Sequence, residues 1–226
     1  MRVKLVTHTS DPEKTIALGA RVCYSGLPIH EIDLHPHEIT PLLDKLKDMK
    51  HMSPFEHASF TFAISGISRA CSHQLVRHRL ASYSQRSQRY VKDVAPKWVM
   101  PETIRKSEFN TVYLSYLAGV MRLYTEMVDH GIPEEDARYI LPNATDTQII
   151  MTMNARELIH FCQTRTCNRA QLEIQTLAID IAAILIGQFP DIFKGLLLPR
   201  CLIEGLCPEG DYECLRPISS RLRELK

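Results

Sequence analysis

"HASFTFAISGISRACSHQLVRHR", residues 57–79, changes its hydrophobic period once, and that change decides the fold class. Phe60, Phe62 and Ile64 alternate with Ser59, Thr61 and Ala63, the two-residue period of a strand with one buried face. Gly66 punctuates the strand, and "ISRACSHQLVRHR" then reads as a helix. The same step from strand to helix stands at the N-terminus, where "RVKLV" precedes "SDPEKTIALGARVC". It returns where "TQIIMTM", a buried strand, precedes "ARELIHFCQTR".

Capping residues give the expected helix starts. Ser10 with Glu13 has the spacing of a capping box, Thr40 with Pro41 opens a second helix that ends near His51, and "HMSPFEH" follows as a loop. Asn154 with Glu157 caps the helix ending at Arg165, and Asn168 with Gln171 repeats the device for a long helix running to about Leu185. Tyr113, Leu117, Val120, Tyr124 and Met127 mark one face of another long helix that Gly131 ends, and "PEEDARYILP" reads as a short helix between prolines. "LASYSQRSQRY" has no apolar period and reads as a loop, while Pro199, Pro208 and Pro217 argue against long elements in the tail. No repeat, low-complexity tract or linker divides the chain. The reading is one α+β domain over residues 1–226, a central sheet flanked by long helices.

Composition narrows the function classes. At 226 residues with 45% hydrophobic content the chain can bury a sizeable core. Its longest near-apolar run, "TLAIDIAAILIGQF", carries Asp180 and is too short to span a bilayer, and "MRVKLVTHTS" lacks the apolar centre of a signal peptide. Seven cysteines without framework spacing suggest reduced thiols, so the expected compartment is the cytoplasm. A net charge of +1 does not suit a protein that coats nucleic acid or membrane.

The distribution of charge is uneven. From His57 to Lys92 there is no acidic residue, while Arg69, Arg77, Arg79, Arg86, Arg89 and Lys92 contribute six positive charges. A solvated surface is the bland explanation, but it suits runs of mixed sign. Arginine outnumbers lysine here, and its planar fork holds phosphate oxygens bidentately. A pocket for small anionic ligands is therefore the leading reading. The alternative is a small RNA-binding protein using the arginine-rich loop 77–90, though only Tyr83 and Tyr90 offer stacking surfaces.

Arg77-His78-Arg79, seven further residues and then Ser87 resembles the RHR-x7-S motif of the flavin-dependent thymidylate synthases, the ThyX family. "HMSPFEH" resembles that family's His-x-(Ser/Thr)-Pro-Phe-Glu-His segment, "ARYILP" its Ala-Arg-x-x-Leu-Pro segment, and "MNARELIHFCQTR" its Asn-Ala-Arg helix ending in arginine. The resemblance implies a homotetramer with active sites at subunit interfaces, binding FAD and converting dUMP to dTMP. Methylenetetrahydrofolate would supply the carbon, NADPH would reduce the flavin, and no cysteine would act as nucleophile.

Carried over by position, the resemblance assigns FAD to Arg77, His78, Arg79, Gln85, Asn154, Arg156 and His160, with His51 nearby and Ser53 reaching in from another subunit. It assigns dUMP to Gln74, Arg77, Gln85, Arg86, Ser87, Gln88, Arg89, Arg138 and Arg165. Arg165 is the implied catalytic residue: a guanidinium beside the pyrimidine would stabilise negative charge developing on the ring. Taken alone, it would read as a helix-terminal arginine favoured by the dipole.

Two positions depart from the family pattern. Ser84-Gln85 stands where many members have Asn-Glu, and an amide can donate and accept but cannot take a proton. Gln88 replaces a glycine that many members carry after the motif serine.

Metal chemistry is not expected. His73 and His78 lie outside any H-E-x-x-H motif, and Cys201, Cys207 and Cys214 lack the short knuckle of a structural zinc site. Cys71 and Cys167 read as structural thiols, and no glycine-rich dinucleotide motif is present.

Overall fold

The computed structural model describes residues 1–91, 97–211 and 214; Lys92 of the basic run and Pro217 of the tail lie outside the described residues. In chain order the elements are β1 (Arg2–His8), α1 (Pro12–Val22), α2 (Pro36–Asp48), β2 (Ser59–Ser68), α3 (Arg69–Leu75), β3 (Ala81–Gln85) and α4 (Glu102–Arg105). They continue with α5 (Asn110–Asp129), α6 (Glu134–Ala137), β4 (Asp146–Asn154), α7 (Ala155–Arg165), α8 (Leu172–Gln188), α9 (Pro190–Phe193) and α10 (Arg200–Glu204). The strands form one antiparallel sheet in the order β1-β2-β4-β3, so the α+β class holds.

The chain divides into two compact units. The first comprises Met1–Arg2, Ile64–Arg77 and Tyr83–Ile150, and contains α3 to α6. Here Ser68 caps α3, its Oγ accepting from Cys71 N at 2.9 Å, and Arg69 N donates to Thr145 O at 2.9 Å. On α5, Leu117, Val120 and Tyr124 are buried, so the apolar face read from the sequence is the inward one.

The second unit comprises Val3–Ala63, His78–Ser82 and Met151–Lys226. Thr61 and Thr152 share a hydroxyl contact of 2.9 Å across β2 and β4, and Ala155 N donates to Ala58 O at 2.8 Å, which fixes the register. Phe60 points inward and meets Phe189 and Phe193 edge to face at centroid distances of 5.1 and 5.3 Å. α8 buries Ile174, Leu177, Ile181 and Leu185, each stabilising by about 1.5–3 kcal/mol through removal from water. Among the described residues no helix is long and apolar enough to cross a membrane.

Several starts and stops differ from expectation, each for a local reason. The Ser10–Glu13 capping box does not form: Pro12 opens α1, and Asp11 takes the cap position at φ 46°, a left-handed conformation that Asp tolerates. α2 begins at Pro36, with His35 N donating to the Glu38 carboxylate at 3.1 Å, so Pro41 lies inside the helix. Thr40 does not cap; its hydroxyl donates to Asp191 Oδ2 at 2.7 Å. Gln171 rather than Asn168 caps α8, accepting from Ile174 N at 3.3 Å.

The sheet corrects three further readings. β2 runs through Gly66 to Ser68, because a glycine at φ +70° is accommodated where Met1 backbone atoms would stand 3.4 Å from a Cβ. "ASYSQ" is strand β3, whose polar composition suits a short edge strand. β4 alternates, burying Thr147, Ile149, Met151 and Met153 while Ile150 is exposed. The "SPFEH" segment forms a 3-10 turn over Ser53–His57.

Candidate active site

Within the second unit the site is built on α7. Asn154 closes the helix start, its Oδ1 accepting from Glu157 N at 2.8 Å, and the 3.6-residue period then places Glu157, His160 and Arg165 along one face. His78, which is 7% exposed, lies against that face. Its Nδ1 donates to Glu157 Oε1 at 3.1 Å, and Arg165 Nε donates to its Nε2 at 3.1 Å.

An N–H from arginine requires a lone pair on Nε2, so the ring is the neutral tautomer with its proton on Nδ1. Burial, then the charges of Arg165 and His160, push the His78 pKa down to about 4. Burial pushes the Glu157 carboxyl up, with His160 opposing. Phe161 meets the His78 ring edge-on at 5.0 Å, and His160 lies 5.8 Å away. The Arg165 guanidinium is thereby steered by a neutral acceptor.

Ligand atoms of His78, Glu157 and His160 lie within 4.8 Å of one another. Both ring nitrogens of His78 are engaged, and the Arg165 cation beside it opposes a second positive charge. Hydrogen bonds join Glu157, His78 and Arg165, while His160 meets His78 only as a ring 5.8 Å away.

A cleft of about 500 Å³ opens beside this network, lined by Lys47, Lys50, Met52, Arg156, His160 and Leu196 among others. Cations around an apolar floor fit a group that joins a planar ring to a diphosphate, so the residues present fit FAD. Arg156 and His160, two expected flavin residues, are exposed there. Arg156 is ion-paired with Glu56 of the 3-10 turn, the element that also carries Ser53; His51 and Ser53 are exposed. Asn154 differs, since its Oδ1 is committed to the cap. Arg79, also in this unit, is exposed.

The first unit gathers the other expected nucleotide residues. Gln85 Nε2 donates to Ser72 Oγ at 2.9 Å and Thr147 Oγ1 at 3.2 Å, so both amide hydrogens are used internally and its carbonyl is the group left to meet a ligand. Arg89 is ion-paired with Glu135 and lies 5.1 Å from the Tyr90 ring centroid, while Arg138 Nε donates to the Glu135 carbonyl at 3.0 Å. Ser87 Oγ accepts from Arg89 N at 3.0 Å. The basic run is thus not wholly unpaired; its acid comes from far along the chain. Gln74, Arg86 and Gln88 are half-buried, Arg77 is exposed, and Tyr83 is tied to the Leu75 carbonyl at 2.8 Å.

Sequence reasoning missed Glu56, Glu157 as the partner of His78, and the lysines of the cleft. Glu157 carries a sequence signal only as a cap residue, and no spacing rule joins it to a histidine 79 positions away.

The model of one protein family, the thymidylate synthase complementing protein, matches residues 4–191. The chain is 49% identical over 220 residues to the flavin-dependent thymidylate synthase of Geobacter sulfurreducens, covering 95% of this chain and 94% of that one. It is 42% identical over 226 residues to the flavin-dependent thymidylate synthase of Pyrococcus furiosus, covering 93% and 91%. The protein of that name from Clostridium tetani is 39% identical over 233 residues, covering 95% and 93%.

Proposed function

The chain belongs to the thymidylate synthase complementing protein family, and from that premise we propose that it is a flavin-dependent thymidylate synthase acting on dUMP, with residues 1–226 as one catalytic domain. Methylenetetrahydrofolate donates the carbon and NADPH is the reductant. The observation that carries this reading is the buried Glu157–His78–Arg165 chain, which joins the RHR motif to the arginine at the end of α7.

Each residue has a physical role in that proposal. Arg77, Arg79 and Arg156 neutralise the FAD diphosphate, with His51, His160 and Ser53 completing its surroundings and Asn154 ordering the helix start. Arg86, Ser87, Arg89 and Arg138 bind the dUMP phosphate; Gln74, Gln85 and Gln88 orient the nucleotide. FAD bound there would supply the two-electron redox chemistry that the transferred carbon needs. Arg165, held by neutral His78, places positive charge where the uracil ring becomes electron-rich, so C5 is activated without a covalent thiolate.

Cys162 supports a route without cysteine: it is buried, and burial pushes its thiol well above the usual range. Phe109, at the cap of α5, and Val112, Tyr116 and Leu123 on it leave an exposed apolar stripe, which supports assembly as a homotetramer. The cytoplasm, where these substrates are made, is the proposed location.

The test is a visible spectrum of the purified protein with FAD, a dUMP titration, and then turnover with methylenetetrahydrofolate and NADPH. A flavin band that shifts with dUMP, followed by dTMP formation, is expected. Absence of flavin binding, or affinity only for oligonucleotides with steep salt dependence, would overturn the reading in favour of RNA.

A further inference from the structure

Four of the seven cysteines line a single cavity in the second unit, whose lining includes none of His78, Glu157, His160 and Arg165. Cys167 comes from the turn between α7 and α8, Cys201 from α10, and Cys207 and Cys214 from the segment that follows. The spacing of the last three fits no short metal knuckle, but folding brings in a fourth thiol from the turn before α8. All four are half-buried.

Charge and turn geometry hold them there. Arg169 Nε donates to Glu209 at 2.8 Å and its Nη1 to Asp211 at 3.0 Å, tying the segment of Cys207 and Cys214 to the turn of Cys167. Gly205, at φ +74°, closes α10 and reverses the chain. Four thiols brought to one cavity offer a donor set that a shared thiophilic cation would bind as thiolates.

The cavity holds about 180 Å³, more than a bare ion needs. Sulfurs around a zinc ion stand about 3.8 Å apart, given Zn–S bonds of about 2.3 Å. Among the described residues no three cysteine sulfurs fall within 4.8 Å of one another, so the thiols ring a wider space. Arg169 and Arg200 stand in its wall, Arg169 paired with Glu209 and Asp211 and Arg200 with Glu204.

We propose that Cys167, Cys201, Cys207 and Cys214 form a tetrathiolate site for a thiophilic metal centre, with a space that suits an iron–sulfur cluster better than a single zinc ion. Its role is structural. Thr164 also lines the cavity and Arg165 is the next residue, so a centre there braces the last turn of α7.

The experiment is elemental analysis of the full chain purified anaerobically with its flavin, alongside electron paramagnetic resonance after reduction, because flavin masks the visible bands of a cluster. Iron with an equal amount of acid-labile sulfide, lost at least tenfold in the Cys201→Ser/Cys207→Ser double variant but retained in Cys23→Ser, is the expected result. Zinc at one per chain with the same loss would support the tetrathiolate site and replace the cluster by a single ion drawn in by closure of the loop. Protein that carries neither metal and takes up neither on anaerobic reconstitution, or that keeps its metal in the double variant, overturns the proposal, as would disulfides among the four in protein purified without oxygen. None of these readouts depends on dTMP formation, so failure here is distinct from failure of the proposed activity.

Discussion

At the scale of single residues, the decisive contact is Arg165 Nε on His78 Nε2. Lysine at 165 would keep a positive charge but lose the planar fork that lets one edge rest on imidazole while the rest of the group remains oriented. Arg165→Lys is expected to lower single-turnover dTMP formation about 100-fold while FAD absorbance is retained. Unchanged turnover would remove Arg165 from the chemistry. His78 carries a pH signature as well. Its folded pKa of about 4 lies below its ordinary 6.5, so its stabilising contribution is complete above pH 6.5 and is lost as pH falls toward 4. The contribution is at most about 3 kcal/mol. Glu157, raised by burial, gains from protonation and partly offsets the loss at the acid end; His160 and Arg165 are the other charges facing the ring. Urea unfolding midpoints should therefore fall between pH 6.5 and 4, and fall less in His78→Gln. Equal slopes would contradict the buried neutral imidazole. The motif histidine and the helix-end arginine were legible in the sequence, but the acid that pairs with His78 was not, because a contact across 79 positions leaves no local pattern.

At the scale of elements, the sequence was most legible where one residue both caps and patterns. Asn154 is such a case: the cap read from Asn154 and Glu157 is present, and it starts the helix whose face carries the network. Asn154→Ala should cost about 1 kcal/mol of stability for the lost cap. Because the same cap sets the register of Glu157 against His78, FAD affinity should fall too, whereas a purely local cap would leave it unchanged; thermal unfolding and flavin titration separate the two. Gly66 is the opposite case. Read as punctuation, it lies inside β2 at φ +70°, beside the Met1 backbone. Gly66→Ala should destabilise by about 1–2 kcal/mol, because an alanine must adopt a left-handed conformation there. The missed strand β3 and the early start of α2 have different causes. Edge pairing is tertiary and leaves no period in the local sequence, whereas Pro36 and Glu38 are local signals that Thr40 with Pro41, the stronger-looking start, masked.

At the scale of the whole molecule, the open question in the chain is what covers α5. Leu117, Val120 and Tyr124 face inward, yet Phe109, Val112, Tyr116 and Leu123 are each at least half exposed and follow one another at spacings of three, four and seven. That is the repeat of a helix seam, and in water such a stripe calls for a partner helix. If copies of this chain supply it, the wild-type protein should run at four times the 25.9 kDa chain mass in light scattering. Tyr116→Glu with Leu123→Glu would put two buried charges in the seam and should give a smaller species with unchanged helical circular dichroism. The flavin titration then separates two kinds of assembly. Arg156, His160 and the cleft lysines all come from one unit of one chain, so a site complete within the subunit would bind FAD equally well after dissociation. The proposal that Ser53 reaches in from a neighbouring copy requires instead that FAD affinity collapse together with the mass.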